Sequence, residues 1–503
     1  MILAMHVSAS SICLFVAVAA VLGAFILRRK RRPFPPGPRG LPVLGNLHEF
    51  TSDFEWIRFG TSLRRSFGDL LGLRIFNRKV LVLNSLEAAQ DLLDKRAHIY
   101  SNRPVLTVAG ELMGLDRSIP LMPYGSEWRA CRKLEHVAMN PTAVKQYRPM
   151  LEHFAAMLAL DILKDPENFY DLTRLCTSRI VLSVTYGLSA RVTDTEYIAL
   201  AEEVMDVATA AIRPGAYLCD MIPIMKHLPL WVPFRRKAQY ARGLFERFAL
   251  IPYDRVKQAI AAGSAEPSLT YDLLASIPKE SMTVEVEERI KWTTGSMFSA
   301  GGETTFGTVT VFMIAMALHR DKQLKAQREI DSVTGADRLP NISDRDSLPY
   351  VNALVQEVMR WYPIVPLSIS RVADADDEYE GYYIPKNTLL CPNIWAIAME
   401  PNLKYPPEAF IPERFLDEEC PTVHPSKYIF GFSRRICPGK ALAEESVFVL
   451  ISTLLATLDI QAPPEGLVPD FEPRAVSVPK RFNCVFRSRS PGKVEMLRGV
   501  AGL

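Results

Sequence analysis

The chain has 503 residues, 48% hydrophobic and 23% charged, with a formal net charge of +3. That balance excludes disorder, collagen-like repeats and coiled coil as the dominant state, and a chain this long can bury a large core without disulfide staples. Residues 28–32 read Arg-Arg-Lys-Arg-Arg and leave residues 33–503 near −2, which excludes a nucleic-acid reader with a broad basic face.

In chain order, residues 1–6 precede an apolar run at 7–27 that carries no charged side chain. As a helix that run would span about 31 Å, close to the thickness of a bilayer's hydrocarbon core. The basic tract follows at once. The run therefore predicts a single retained transmembrane helix, with residues 1–6 lumenal and the body cytosolic. A cleaved signal peptide would carry its positive charge before the apolar run. Pro33-Phe34-Pro35-Pro36-Gly37-Pro38 predicts a stiff, extended spacer, so residues 28–46 read as basic tract and proline-rich hinge. Leu70-Leu71-Gly72-Leu73-Arg74 and Lys79-Val80-Leu81-Val82-Leu83 predict two strands around a turn at Phe76-Asn77-Arg78.

Residues 126–330 read mainly as helices. The longest, over 284–319, begins acidic at Glu285, Glu287 and Glu288, as the helix dipole prefers. It contains Gly295, Gly301, Gly302 and Gly307. At about 1 kcal/mol per glycine relative to alanine, these need a reason, such as close approach of a ligand or of another helix. Val351, Leu354, Val355, Val358 and Met359 mark a helix over 349–361, ended by Pro363. A strand and turn at 382–387, a proline-rich stretch over 392–425 and a final helix starting near Pro438 follow. The expected class is mainly α with a minor β part. None of the eight cysteines forms a Cys-x-x-Cys pair, which argues against a zinc site or a redox dithiol.

Five segments carry candidate chemistry. Phe430-Gly431-Phe432-Ser433-Arg434-Arg435-Ile436-Cys437-Pro438-Gly439 is a loop presenting one cysteine ahead of a helix start, where backbone N–H groups can hydrogen-bond a thiolate. A buried structural cysteine is the plainer reading. Glu357 and Arg360 share a helix face at i, i+3, as a solvated pair or, given another partner, a buried one. Pro412-Glu413-Arg414-Phe415 offers that partner. Trp128 and Arg132 share a face at i, i+4. Ala300-Gly301-Gly302-Glu303-Thr304-Thr305 lies inside the longest helix.

Together and in this order, the segments resemble the cytochrome P450 superfamily. The cysteine loop is similar to its haem signature at Phe430, Arg435, Cys437 and Gly439, with Ser433 where the family usually has glycine. If that position needs a positive φ, serine costs about 1–2 kcal/mol. The resemblance implies haem b with Cys437 as axial thiolate on iron, haem propionates received by Trp128, Arg132 and Arg371, and Arg435 as a further cofactor-binding residue able to pair with an anionic group beside the sulfur. It implies a structural triad of Glu357, Arg360 and Arg414. It also implies an oxygen-activation motif in which Thr304 organises water and Glu303 relays protons, the glycines letting the helix pass over the haem. Because the motifs run from Trp128 to Gly439 without a break, one catalytic domain is expected over 47–488, not the three domains that length suggests, with a tail over 489–503.

The activity implied is a haem-thiolate monooxygenase using dioxygen and two NADPH-derived electrons. No flavin-type module fits beside the catalytic body. An NADPH-cytochrome P450 reductase is therefore expected as donor, with cytochrome b5 as a second, steered by Arg129, Lys133, Arg434 and Lys440. The resemblance places the substrate pocket in 105–122, about 208–224, 364–369 and 476–478, with Leu106, Phe298, Ala300, Val365 and Val476 as lining. These apolar stretches suit an apolar small molecule, though they could equally be core. The anchor and hinge look most like fungal microsomal members: endoplasmic reticulum membrane, catalytic domain in the cytosol, terpenoid or other specialised metabolism. Two alternatives are a haem-thiolate isomerase or dehydratase acting without dioxygen, and a haem sensor without turnover. The Glu303-Thr304 pair weighs against both.

Overall fold

The computed structural model describes residues 32–188, 195–213, 215–335 and 338–502. The expected transmembrane run at 7–27, residues 1–6 before it and the basic tract up to Arg31 lie outside the described residues. Eleven helices of eight or more residues occur among those described: α1 Ser126–Met139, α2 Arg148–Lys164, α3 Phe169–Tyr186, α4 Thr195–Ala211, α5 Pro233–Ala261, α6 Leu269–Ser276, α7 Val284–Leu318, α8 Arg320–Thr334, α9 Pro349–Trp361, α10 Lys440–Thr457 and α11 Pro491–Ala501. Shorter helical turns and short strands make up the rest of the regular structure among the described residues. β1 Leu70–Ile75, β2 Arg78–Leu83, β3 Arg371–Val372 and β6 Leu389–Pro392 form one sheet in the order β1-β2-β6-β3. β4 Asp377–Tyr379 pairs with β5 Tyr382–Ile384, and β7 Leu458–Gln461 with β8 Val485–Ser488. The architecture is mainly α with a minor sheet.

β1 and β2 pair antiparallel, Leu70 opposite Leu83, around a tight turn at Phe76 and Asn77. Parallel pairing of β2 with β6 joins residues more than 300 apart in sequence, so this small sheet closes the early part of the chain onto the late part. α7 runs through the middle of the helical layer and packs against α1, α3, α5, α9 and α10. It is apolar enough to pass for a membrane span, but 67% of the qualifying stretch is buried within the protein.

α7 is continuous over 35 residues despite its glycines, and their reason differs from the expected one. A Cβ on Gly301 would stand 2.9 Å from Val181 of α3, and one on Gly302 would touch Ser178 at 3.4 Å. Gly307 is backed in the same way by Val478 and Ile364, and Gly295 by Ala249 of α5. The glycines let neighbouring elements approach α7; they do not form the open face of the helix. Close packing offsets their conformational cost.

Two further expectations are corrected. The proline-rich segment is extended but is no free spacer: from residue 33 it lies along the sheet. The Tyr383 N–H donates to the Pro33 carbonyl at 2.9 Å and the Gly72 N–H to the Pro36 carbonyl at 2.8 Å, while Gly45 bridges Ile75. A Cβ on Gly37 would fall 1.7 Å from the Gly72 carbonyl oxygen, so a glycine at each position permits this contact. It covers the edge of β1, which would otherwise offer unpaired backbone groups. The expected C-terminal tail contains α11, whose Leu497 is fully buried in the main core and which packs on α2.

Candidate active site

Cys437 lies on the loop between the short turn Ser433–Arg435 and α10, half-buried. α10 begins at Lys440 with Gly439 as its N-cap, so Pro438 lies just ahead of the helix and not in its first turn. The loop is closed on itself: the Cys437 N–H donates to the Phe430 carbonyl at 2.7 Å. Two of its residues have left-handed backbone, Gly431 at φ +79° and Ser433 at φ +44°. Serine therefore stands where glycine would be unstrained. Burial pushes the Cys437 thiol up, while the Gly439 N–H and Arg132 favour the thiolate.

The triad joins α9 to the segment 406–414. Glu357 is fully buried and receives the Arg360 Nε at 2.6 Å, the Arg360 Nη2 at 2.8 Å, the Arg414 Nε at 3.1 Å and the Ile411 N–H at 2.7 Å. The remaining guanidinium donors go to the carbonyls of Ala398, Pro406, Pro407 and Ala409. Every buried charge here is hydrogen-bonded, as tolerance of a buried ion cluster requires. The surface-pair reading of Glu357 and Arg360 is excluded.

Beside the cysteine lies a cluster of the opposite kind. Arg103, Arg371 and Arg435 are 6%, 3% and 9% exposed, and among the described residues none makes an ion pair. They donate only to carbonyls. Arg103 reaches Pro120 at 2.7 Å and Ser370 at 2.9 Å. Arg371 reaches Phe432 at 2.7 Å, and Arg435 reaches Ser101 and Met122, each at 2.8 Å. Burial depresses all three, Arg371 to about 10 and Arg435 to about 9. Arg371 and Arg435 add mutual repulsion at Arg103. Of the described carboxylates only Asp94 acts on the cluster, at Arg371, and three buried cations with so little counter-charge are costly unless an anionic group completes the site. Two carboxylates on a flat apolar body are such a group, so the residues fit haem. Arg435 also lies 4.5 Å above the Trp128 ring, and Trp128 is buried. Arg132 donates to the Ile436 carbonyl and pairs with Glu135.

Arg103 escaped the sequence reading. The available signal was a lone arginine in the run 97–110, which contains no other Lys, Arg, Asp or Glu.

The cluster is tied to α7. Arg435 reaches the Ile119 carbonyl, and the Ile119 N–H donates to Ser296 Oγ of α7 at 3.2 Å. Ser296, Ala300 and Thr304 recur every four residues and share one helix face. On that face Ala300 is exposed and Thr304 half-buried, although α7 is otherwise largely enclosed. Thr304 Oγ1 donates to the Ala300 carbonyl at 3.0 Å, leaving its oxygen free to accept. Glu303 points to the neighbouring side, where Arg174 of α3 holds it at 3.2 Å and holds Glu202 at 3.1 Å. Burial raises Glu303, and Arg174 opposes this.

Of the expected lining, Leu106, Val365 and Val476 are half-buried, and the Ser477 N–H bonds the Ile364 carbonyl beside Gly307. Phe298 is placed elsewhere. It lies on the face opposite Ala300, 3% exposed, stacked at 5.3 Å on both Tyr197 and Phe248. On the cysteine side, a cavity of about 580 Å³ is lined by Cys437, Trp128, Arg129, Arg132, Lys133 and Lys440, among others.

Comparison with known proteins agrees with this geometry. The family model described as Cytochrome P450 matches residues 35–486. The chain belongs to the cytochrome P450 family. Cytochrome P450 monooxygenase 208 of Postia placenta is 37% identical over 94% of each chain. Cytochrome P450 monooxygenase COX1 of Coprinopsis cinerea is 35% identical over 98% of each. Cytochrome P450 monooxygenase claR of Ampulloclitocybe clavipes is 34% identical over 98% of this chain and 93% of its own. This P450 is accordingly a monooxygenase, and the family implies a haem-thiolate iron cofactor.

Proposed function

We propose that this P450 hydroxylates an apolar small molecule, with Cys437 as the iron ligand and Arg103, Arg371 and Arg435 receiving the haem carboxylates beside Trp128 and Arg132. The observation that carries this reading is the trio of buried arginines beside the cysteine loop, which donate to backbone carbonyls and make no ion pair among the described residues. When bound, haem supplies dioxygen activation with two electrons, the thiolate favouring O–O cleavage.

The chain does the rest. The Phe430–Cys437 hydrogen bond fixes the sulfur's position, and the Gly439 N–H favours its ionised form. Thr304 presents a hydroxyl oxygen on the open face of α7, where it orders water. Burial raises Glu303 and so favours its protonated form, and Arg174 links it to Glu202 nearer the surface. Leu106, Val365 and Val476 supply apolar walls that orient substrate and exclude bulk water.

Electrons enter on the cysteine side. Arg129, Lys133 and Arg434 are exposed there, and with Lys440 they suit an acidic partner such as NADPH-cytochrome P450 reductase, or cytochrome b5. Residues 7–27 anchor the chain in the endoplasmic reticulum membrane, with one catalytic domain in the cytosol. A terpenoid or another specialised metabolite is the substrate class that fits the apolar lining.

The test is co-expression with a P450 reductase in membranes supplied with apolar metabolite extracts under isotopically labelled dioxygen. NADPH-dependent products should carry one labelled oxygen atom per hydroxylation. Products without label would contradict the reading and favour an oxygen-independent rearrangement.

A further inference from the structure

An apolar face lies outside the candidate site, and two distant segments build it. Between α4 and α5, the short turns Leu218–Asp220 and Pro223–His227 lead to Trp231. Ile224 is 76% exposed and Trp231 75%, and Leu218, Ile222 and Leu230 of the same stretch are exposed as well. The stretch is held from within: Cys219 is buried, Asp220 accepts the Val108 N–H at 3.0 Å, and Lys226 pairs with Glu111 at 2.8 Å. Its backbone is thus fixed with the apolar side chains outside. The second segment is the turn Leu41–Gly45, whose ends exchange hydrogen bonds of 2.8 and 2.9 Å. Its tip, Val43, is 76% exposed at φ +63°, a left-handed angle that a β-branched residue adopts only where its surroundings impose it. The two segments meet. A Cβ on Gly215 would fall 2.3 Å from Leu47 Cδ1, and Leu47 and Met221 pack on one core cluster.

Charge and connectivity name the occupant. Residues 221–245 contain Lys226, Arg235, Arg236, Lys237 and Arg242 but no Asp or Glu, and residues 28–48 contain no acid either. A second copy of the chain would bring like charges together, whereas anionic headgroups neutralise them. At full extension the six residues from 27 to 33 reach about 21 Å. A bilayer holding residues 7–27 therefore lies close to the proline-rich segment that leads into the Val43 turn. Resting on the reading of residues 7–27 as an anchor, we propose that this face is a second membrane contact, made by the catalytic body itself with an anionic bilayer. Trp231, Ile224 and Val43 enter the boundary of the acyl chains, and the exposed Arg236 and Lys237 meet headgroup phosphates.

The test uses the full chain in vesicles of phosphatidylcholine, alone or with phosphatidylserine, carrying lipids brominated on the acyl chain near the headgroup. Trp231 is the one strongly exposed tryptophan, and Trp56, Trp128 and Trp292 are buried, so the difference in emission between wild type and W231F isolates it. Brominated lipid is expected to remove most of the Trp231 emission and aqueous acrylamide little of it. The quenching by lipid should be about twofold weaker without phosphatidylserine, and in R236Q/K237Q. Trp231 emission open to acrylamide and untouched by brominated lipid overturns the proposal and leaves the face to a protein partner. Equal quenching in both lipid mixtures overturns the anionic preference. Alkaline carbonate extraction separates this contact from the anchor. A chain that carbonate releases although Trp231 was quenched keeps the face and refutes the anchor. A chain that resists carbonate with Trp231 unquenched keeps the anchor and refutes the face, and a chain that never joins the vesicles refutes both.

Discussion

At Ser433 a single backbone angle carries a measurable strain. Its φ of +44° lies where side chains with a Cβ are disfavoured by about 1–2 kcal/mol, and glycine is not. Glycine also makes the unfolded chain more flexible, which takes back up to about 1 kcal/mol. Ser433→Gly is therefore expected to stabilise the protein by about 0.5–1 kcal/mol, read as a higher thermal midpoint; a lower midpoint would contradict the strain. Glu303 gives a prediction of a different kind. Its folded pKa is raised by burial, so ionising it costs more in the folded than in the unfolded state. Stability from this group is full below the unfolded carboxyl pKa and declines as pH rises through the folded one, by about 1.4 kcal/mol per unit of separation. Glu303→Gln removes that decline. The melting temperature of the variant relative to wild type should rise from about pH 4.5 towards neutrality. A difference independent of pH would contradict the burial.

Among the elements, α7 shows what sequence pattern could and could not carry. Its length was legible from the acidic start and the apolar run, and its glycines were legible as needing a reason, but they were read as facing the haem when protein neighbours back them. Which neighbour was not legible, because residues on one helix say nothing about the approach angle of another. Val181 and Ser178 of α3 supply it. Gly301→Val is expected to destabilise by about 2–3 kcal/mol, since an added side chain meets Val181 within van der Waals distance. Chemical denaturation checks this, and an unchanged midpoint would restore the reading in which Gly301 faces open space. β1, β2 and α9 were read close to their bounds because local periodicity determines them. The hinge and α11 were misjudged because both depend on partners far away in sequence.

Over the whole molecule, the site is assembled from segments hundreds of residues apart. Arg103, Arg132, Ser296, Arg371 and Cys437 come from five stretches of chain, and the triad fastens α9 to the segment around Arg414. The motif residues were legible because their spacing carries chemistry: an i, i+3 ion pair, or a cysteine before a helix start. Arg103 and Phe298 were not read correctly, since neither has a local pattern that says what it packs against. The central claim is that this assembly binds haem through Cys437. Its most direct test is the reduced, CO-bound difference spectrum of the full chain and of Cys437→Ala, with haem content measured in both. The account predicts a Soret band at the thiolate position in the wild type and its loss in the variant. A thiolate band that survives the substitution, or an imidazole-like spectrum in the wild type, would contradict it.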